Sequence, residues 1–316
     1  MEARSGRSFS LWNSASVLLV VATLCWSGNF IVGRAVAGEV PPIALAFWRW
    51  ALGFCVVVGP AWKHLSRDAP ALRKRLGTLL VLSFLGIALF NTLVYIGLQT
   101  TTATNGVLMQ SVMPLIILLF SFAIFGERVT ALQLLAVAIS LVGVMVIVSR
   151  GTLQTLLELA FAIGDLCIFV AVLGYGLYSV LLRRRPEVHP LTMLAATFAL
   201  GAAMLAPLYI LESMSGNALN PTASSAAAIL YVAIFPSLVA YLCFNRAIEL
   251  IGANRVGQYL HLMPVFGSIL AAIFLNEGLE GFHFAGGLLI AAGIALATFA
   301  GRQARAAVVG ATPLDV

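Results

Sequence analysis

The chain has 316 residues, of which 61% are hydrophobic and only 9% are charged. A soluble domain carries about 25% charged residues, so this chain cannot cover a water-facing surface and is predicted to be an integral membrane protein. The formal net charge is +6, from 18 basic and 12 acidic residues. Nucleic-acid binding is not favoured, because the positive charges do not form a basic face on a soluble fold.

Ten segments are long and apolar enough to cross a membrane as helices, for which about 20 residues are needed. Arg4 and Arg7 precede the first segment as in a signal peptide, but that segment is too long for a signal core, so a retained helix is predicted. The four cysteines lie in four different segments without CxxC spacing, so we expect small buried residues rather than disulfides. The predicted helices span residues 14–36, 41–60, 77–99, 102–125, 130–149, 159–183, 190–211, 225–250, 253–275 and 282–301.

The Lys and Arg residues predict the orientation, because loops rich in these residues stay on the cytoplasmic side. With a cytoplasmic N-terminus, fourteen of the 18 basic residues are cytoplasmic, two lie within spans, and only Arg34 and Arg150 lie near the outside. Residues 1–13 and 302–316 are therefore predicted to be cytoplasmic tails. The short loops favour a bacterial inner membrane.

Several patterns of the chain occur twice at a nearly fixed spacing. SVMPLIILLFSFAIFGE (111–127) and HLMPVFGSILAAIFLNE (261–277), 150 residues apart, both carry Met-Pro and then Glu thirteen residues after the proline. The polar stripe of the third helix recurs on the eighth, with Asn91, Tyr95 and Gln99 matching Tyr241, Asn245 and Glu249. At a spacing of 149, residues of the first and sixth helices correspond, with Trp26 and Asn29 matching Tyr175 and Tyr178. These patterns predict two five-helix halves, residues 14–149 and 159–301.

Because five is odd, the second half must enter the membrane in the opposite orientation. The predicted fold is an all-α polytopic membrane protein with ten transmembrane helices in two inverted five-helix repeats, an architecture of many secondary transporters. Pro114 and Pro264 are predicted to kink the fourth and ninth helices, since neither can donate to the carbonyl of Gln110 or Leu260. In lipid such a carbonyl needs another partner or a wet cavity. A packing kink without solute contact is the alternative.

At these residues the chain resembles the drug/metabolite transporter (DMT) superfamily, specifically its EamA-type members. The resemblance rests on ATLCWSGNFIVGR (22–34), on PPIALAFWRW (41–50) and on the MP…E…G blocks at 113–143 and 263–293. It covers about residues 14–301 and implies a solute exporter or exchanger, most similar to the YddG-like amino-acid exporters. The second-half stretch LGYGLYSVLLRRR lacks the Trp and Asn of the first half, so the two halves are expected to contact substrate unequally.

Polar and aromatic residues inside the spans are the candidates for a solute cavity, because polar groups in hydrocarbon usually face the bundle interior. Helix–helix contacts and an interfacial aromatic belt are the structural alternatives. The candidate cavity residues are Trp26, Asn29, Asn91, Tyr95, Gln110, Tyr175, Tyr178, Tyr241, Asn245, Gln258, Tyr259 and His261, with Pro114 and Pro264 at the kinks.

Charged or titratable residues in the spans allow further roles, each with structural pairing as the alternative. Arg49 could attract a carboxylate, and Asp165 could bind a solute amine or a proton. His261 could titrate near neutral pH. Arg246 and Glu249 are three residues apart on one helix and are expected to pair. The two repeated glutamates are interpreted as structural residues that pair with backbone or basic groups, namely Glu127 and Glu277.

The favoured function is a secondary transporter that exports small polar metabolites, amino acids first among them, by alternating access. The chain has no GxxxxGK[ST] loop, so direct use of ATP is not expected. The expected partners are a small solute and the lipid bilayer, with a monomeric protein and no cofactor or metal. Export of drugs or cationic toxic compounds is the alternative. An intramembrane enzyme is disfavoured because HExxH, paired aspartates and clustered histidines are missing, and a channel because rings of charge are missing.

Overall fold

The structure is a computed structural model that describes residues 11–101, 103–127, 129–152, 154–155, 162–274 and 278–310. Within these ranges ten helices are long and apolar enough to cross a membrane, as predicted, and no strand is present. They are α1 (Ala15–Ala35), α2 (Pro42–Lys74), α3 (Leu76–Thr100), α4 (Ala103–Gln110 and Met113–Phe125), α5 (Ala131–Val148), α6 (Ile163–Leu181), α7 (Pro190–Met214), α8 (Ala223–Ile251), α9 (Ala253–Tyr259 and Leu262–Phe274) and α10 (Gly281–Gly310).

Irregular turns recur at the same positions of the two halves. A π-helical turn interrupts α3 at Phe84–Leu89, and another interrupts α8 at Ile234–Val239, which lies 150 residues further along the chain. Such turns widen the helix locally and release backbone carbonyls for other partners. The recurrence supports the repeat inferred from sequence, and the predicted fold of two inverted five-helix halves is confirmed.

The fourth and ninth helices are each interrupted by a short turn, which we call a helix break. The α-helical hydrogen bonding is interrupted at Ser111 and Val112 in α4 and at Leu260 and His261 in α9, where each N–H bonds to the carbonyl three residues back. Pro114 therefore lies in the first turn of a new helical segment, where its missing N–H is not needed. The carbonyl of Leu260 accepts from the N–H of Met263 at 3.1 Å, so it is satisfied locally and does not need the wet cavity that was considered.

The second helix extends well beyond the predicted span 41–60. It runs through Pro60 and Pro70 to Lys74, and this extension was missed because prolines and charged residues suggested a loop. Asp68 on the extension is buried and accepts a hydrogen bond from the backbone N–H of His189, just before α7, at 2.9 Å. This contact ties the end of α2 to the start of the second half's second helix.

The helices α5 and α10, equivalent in the two halves, pack closely against each other. A Cβ atom added to Gly143 would lie 2.6 Å from the carbonyl oxygen of Gly286, and the reverse distance is also 2.6 Å. Small residues allow such backbone contact between membrane helices.

The cysteines depart in part from the prediction. Cys25 and Cys243 are buried, but Cys55 is exposed and Cys167 is half-buried, so the expectation of burial is wrong for two of the four. An apolar side chain on the outside of a membrane bundle is covered by lipid, and the hydropathy of a residue therefore does not tell which side it faces.

Candidate functional site

Arg49 of α2 is the centre of a buried polar cluster, and its side chain is 0% exposed. Its Nη1 lies within hydrogen-bond distance of Asn29 Oδ1 (3.1 Å), Asn91 Oδ1 (2.8 Å) and the Tyr95 hydroxyl (2.6 Å). Its Nε donates to Ser237 Oγ at 2.8 Å, and the Tyr95 hydroxyl donates to Asn29 Oδ1 at 2.7 Å. The cluster thus joins α1, α2 and α3 of the first half to α8 of the second. We call these five residues the arginine cluster.

The two π-helical turns supply acceptors around this cluster. In the turn of α8, Ser237 accepts from Arg49 and donates to the carbonyl of Val232, while the carbonyl of Pro236 accepts from Trp26 Nε1 at 2.9 Å. In the turn of α3, the carbonyl of Gly86 accepts from the Tyr241 hydroxyl. Both turns therefore expose backbone or side-chain oxygens toward the boundary between the halves.

Six aromatic residues lie beside the arginine cluster and form the aromatic cluster: Trp26, Trp50, Tyr175, Tyr178, Tyr241 and Phe244. Trp26 contacts Tyr175 and Tyr241 edge to face, with ring centroids 5.7 Å and 6.0 Å apart, which is a favoured arrangement. The guanidinium carbon of Arg49 lies 4.5 Å from the centroid of Trp50, within cation–π distance. The arginine cluster and the aromatic cluster are thus in contact with each other. Both are enclosed in this structure, because none of their side chains is more than 8% exposed.

Seven of the twelve predicted cavity residues come together in the two clusters, namely Trp26, Asn29, Asn91, Tyr95, Tyr175, Tyr178 and Tyr241. Asn245 is an eighth residue at the edge, where it is half-buried and accepts a hydrogen bond from the Tyr178 hydroxyl at 3.1 Å. The polar stripe on α3 and α8 is therefore buried at Asn91, Tyr95 and Tyr241, whereas Gln99 and Glu249 at its far ends are exposed.

The other four predicted residues lie at a second place, on and around the helix breaks. His261 Nε2 makes a 2.8 Å hydrogen bond with the carbonyl of Ser111, its counterpart in the other half, and Tyr259 bonds to Ser16 at 2.8 Å. The space lined by Gln110 and His261 is only about 10 Å³, too small for a solute. Gln258 is buried on the same segment as Tyr259. The His261 contact thus joins α9 to α4, and the Tyr259 contact joins α9 to α1.

Two residues of the arginine cluster were missing from the predicted cavity. Arg49 was named only as a possible attractor of a carboxylate, although an arginine inside an apolar span is itself a strong signal. Ser237 was not considered. It lies four residues before Tyr241, so extending the polar stripe of α8 by one step would have found it.

Ion pairs connect the helix ends on the predicted cytoplasmic side. Arg183 pairs with Glu127 at 2.5 Å, and both Arg185 and Arg246 pair with Glu249. The predicted pairing of Arg246 with Glu249 and the structural role of Glu127 agree with these contacts. The pairs tie α4, α6 and α8 together beneath the clusters.

Asp165 lies away from the arginine cluster, at the start of α6. It accepts hydrogen bonds from the Thr101 hydroxyl and, at 2.7 Å, from the N–H of Ala162. These bonds cap the helix and fix its contact with the end of α3. Glu277, the repeat counterpart of Glu127, lies outside the described residues.

A histidine pair lies next to the extension of α2, on the side predicted to be cytoplasmic. The rings of His64 and His189 stack with centroids 3.8 Å apart. Burial, and then the neighbouring His64, lower the pKa of His189 below its ordinary value, although Asp68 acts in the opposite direction. Asp68 also pairs with Arg67 at 3.2 Å. The group is a candidate source of pH-dependent stability.

Comparison with known proteins gives the same architecture. The model of the EamA-like transporter family matches residues 13–149 and again residues 162–299. A crystal structure that is 22% identical superposes with a TM-score of 0.73 over 92% of this chain and 98% of that chain, which shows the common fold.

Curated relatives span nearly the whole chain at low identity. An uncharacterized transporter of Archaeoglobus fulgidus is 29% identical over 89% of this chain and 96% of its own length. The uncharacterized transporter YyaM of Bacillus subtilis is 27% identical over 89% and 92%. A protein of Escherichia coli named "Probable amino-acid metabolite efflux pump" is 27% identical over 93% and 98%. With both halves matched by the family model, this integral membrane protein belongs to the EamA-like transporter family.

Proposed function

We propose that this protein is a secondary transporter that exports small polar metabolites, with amino acids as its main substrates. The observation that carries the proposal is the arginine cluster, a set of polar side chains from both halves that is buried at their boundary. Polar groups at such a position are costly in a membrane protein and usually mark a substrate pathway. The adjoining aromatic cluster offers an apolar surface for the remainder of the solute.

Transport would proceed by alternating access between the two inverted halves. The clusters are enclosed, so a solute can reach them only after helices separate on one side. On the side predicted to be cytoplasmic, the ion pairs of Glu127 and Glu249 connect the helix ends. We propose that these pairs open to admit solute from the cytoplasm, with both chain termini on that side of a bacterial inner membrane.

The choice of amino acids as substrates draws on the relative named as an amino-acid metabolite efflux pump. The composition of the arginine cluster also bears on the choice. It presents a cation and no carboxylate among the described residues, which disfavours the alternative of drug cations.

Counterflow in liposomes tests this function without any knowledge of the coupling ion. Vesicles containing the purified protein are loaded with one unlabelled amino acid, and entry of its labelled form is followed over a panel of amino acids. Saturable accumulation above protein-free vesicles is expected for at least one. Folded protein that accumulates none of the panel would contradict the amino-acid assignment.

A further inference from the structure

The positive charge of Arg49 is hydrogen-bonded but not neutralised. Its partners are two amide oxygens, a phenol and a hydroxyl, all of them uncharged. Neutral acceptors satisfy N–H groups, but they leave a full cationic charge within the membrane-spanning part of the protein. A buried charge of this kind is costly unless a charge of opposite sign accompanies it.

The described carboxylates of the chain that lie near its helix ends are engaged elsewhere. None of them forms an ion pair with Arg49. Their hydrogen-bond or ion-pair partners are Thr222 for Glu39, Arg67 and His189 for Asp68, Arg183 for Glu127, Thr101 for Asp165, the start of α2 for Glu212, and Arg185 for Glu249. None of the described residues therefore supplies a counter-charge for Arg49, and the carboxylate of a bound solute would supply one.

The hydrogen bonding of Arg49 also leaves part of its donor capacity unused. Its guanidinium carries five N–H groups. Nε uses its single N–H on Ser237, and three acceptors share the two N–H groups of Nη1. Nη2 is buried and has no partner among the described residues. The unused Nη2 and the overcrowded Nη1 together form the fork that binds a carboxylate through two parallel hydrogen bonds.

We propose that Arg49 binds the carboxylate of the transported solute and that the protein selects for this group. The inference rests on the proposed function, because it assigns the substrate class of the same site. On binding, the carboxylate takes Nη2 and one N–H of Nη1, and it displaces one of the neutral acceptors. The apolar or neutral remainder of the solute lies against the aromatic cluster.

Competition in the wild-type protein tests the proposal without any mutation. Counterflow and thermal unfolding are measured with leucine, phenylalanine and serine, with the amide of each, and with the N-acetyl derivative of each. Loss of the charged partner should weaken the amides about 10- to 100-fold relative to the acids, because hydrogen bonds to a charged group are the strong ones. The N-acetyl derivatives keep the carboxylate and should still compete.

The outcomes separate the two proposals. Amides that compete as well as the acids would overturn the role of Arg49 while leaving an amino-acid transporter. Transport and stabilisation by the N-acetyl derivatives alone would support Arg49 and overturn the amino-acid assignment. If no carboxylate of the panel is transported or raises the unfolding temperature, the proposal for Arg49 is overturned.

Variants on α2 give a second, independent readout. Arg49→Gln should abolish the discrimination between acid and amide, whereas Arg49→Lys keeps the charge without the fork and should retain part of it. Arg73→Gln removes an exposed arginine from the same helix and serves as the matched control. A merely structural role of Arg49 would lower the yield of folded protein but would leave the acid-to-amide ratio unchanged. If Arg49→Gln does not fold, the wild-type competition decides.

Discussion

Asn91→Asp offers a sharp test of the uncompensated charge, because it supplies the missing carboxylate from the protein itself. Asn91 Oδ1 already lies 2.8 Å from Arg49 Nη1, and aspartate has nearly the same shape as asparagine. Two unit charges about 4 Å apart attract by about 4 kcal/mol at an effective dielectric constant of about 20. A solute carboxylate would have to displace this internal partner, so its affinity should fall by up to about 1,000-fold.

Asn91→Asp should weaken transport without lowering the stability of the protein. The new ion pair offsets the cost of burying a second charge, so the unfolding temperature should stay near that of the wild type or rise. Asn91→Leu is the matched control, since it removes the same hydrogen bond without adding a charge and should lower both stability and transport. The assays are thermal unfolding in detergent and counterflow of leucine, phenylalanine and serine. Asn91→Asp with wild-type affinity for these acids would refute the reasoning.

Three further predictions concern the surroundings of the site. Glu127→Ala should lower the free energy of unfolding by less than about 1 kcal/mol, because the side chains of Glu127 and Arg183 are 31% and 35% exposed. The same substitution should increase the labelling, by thiol reagents added on the predicted cytoplasmic side, of a cysteine introduced into the clusters. Unchanged labelling would argue against a layer of ion pairs that closes this side. The pKa of His189 is lowered in the folded protein, so the unfolded chain binds the proton more readily and stability should fall as the pH drops below about 6.5. His189→Gln should weaken this pH dependence of the unfolding temperature between about pH 5 and 7. If the variant and the wild type show the same dependence, the His64–His189 pair is not its source. Gly143→Leu should separate α5 from α10 and lower the free energy of unfolding by about 1–3 kcal/mol. The expected readouts are a lower unfolding temperature and a less monodisperse protein. Gly59→Leu is the control, because no atom lies within 4 Å of a Cβ added to Gly59.

Much of the fold follows from properties that can be counted along the chain. The ten helices were predicted from length and apolarity because a bilayer imposes both on every spanning segment. The two halves followed from the 150-residue spacing of the proline segments and the polar stripes. The extension of α2 was missed, since its contact with His189 is a tertiary one that local composition does not report.

The candidate site was only partly predictable. Asn29, Asn91 and Tyr95 were identified because polar residues stand out against an apolar span, and the structure brings all three to one nitrogen of Arg49. His261 was assigned to the same cavity because it carries the same signal. It lies instead at a helix break, bonded to the carbonyl of Ser111. Composition alone could not distinguish these two environments.

The sequence by itself determined that this chain spans a membrane ten times in two inverted halves, since hydropathy and repetition are local, additive properties. Only the tertiary structure decided which polar residues meet. One extra residue in a π-helical turn rotates the following helix by about 100°, so the turns at Phe84–Leu89 and Ile234–Val239 control which side chains face Arg49. Whether a polar group makes a packing contact or belongs to a binding site depends on such rotations and on distances of a few ångströms between helices. Neither the rotation nor the distance can be predicted from the sequence of one helix, because both depend on the helices that pack against it.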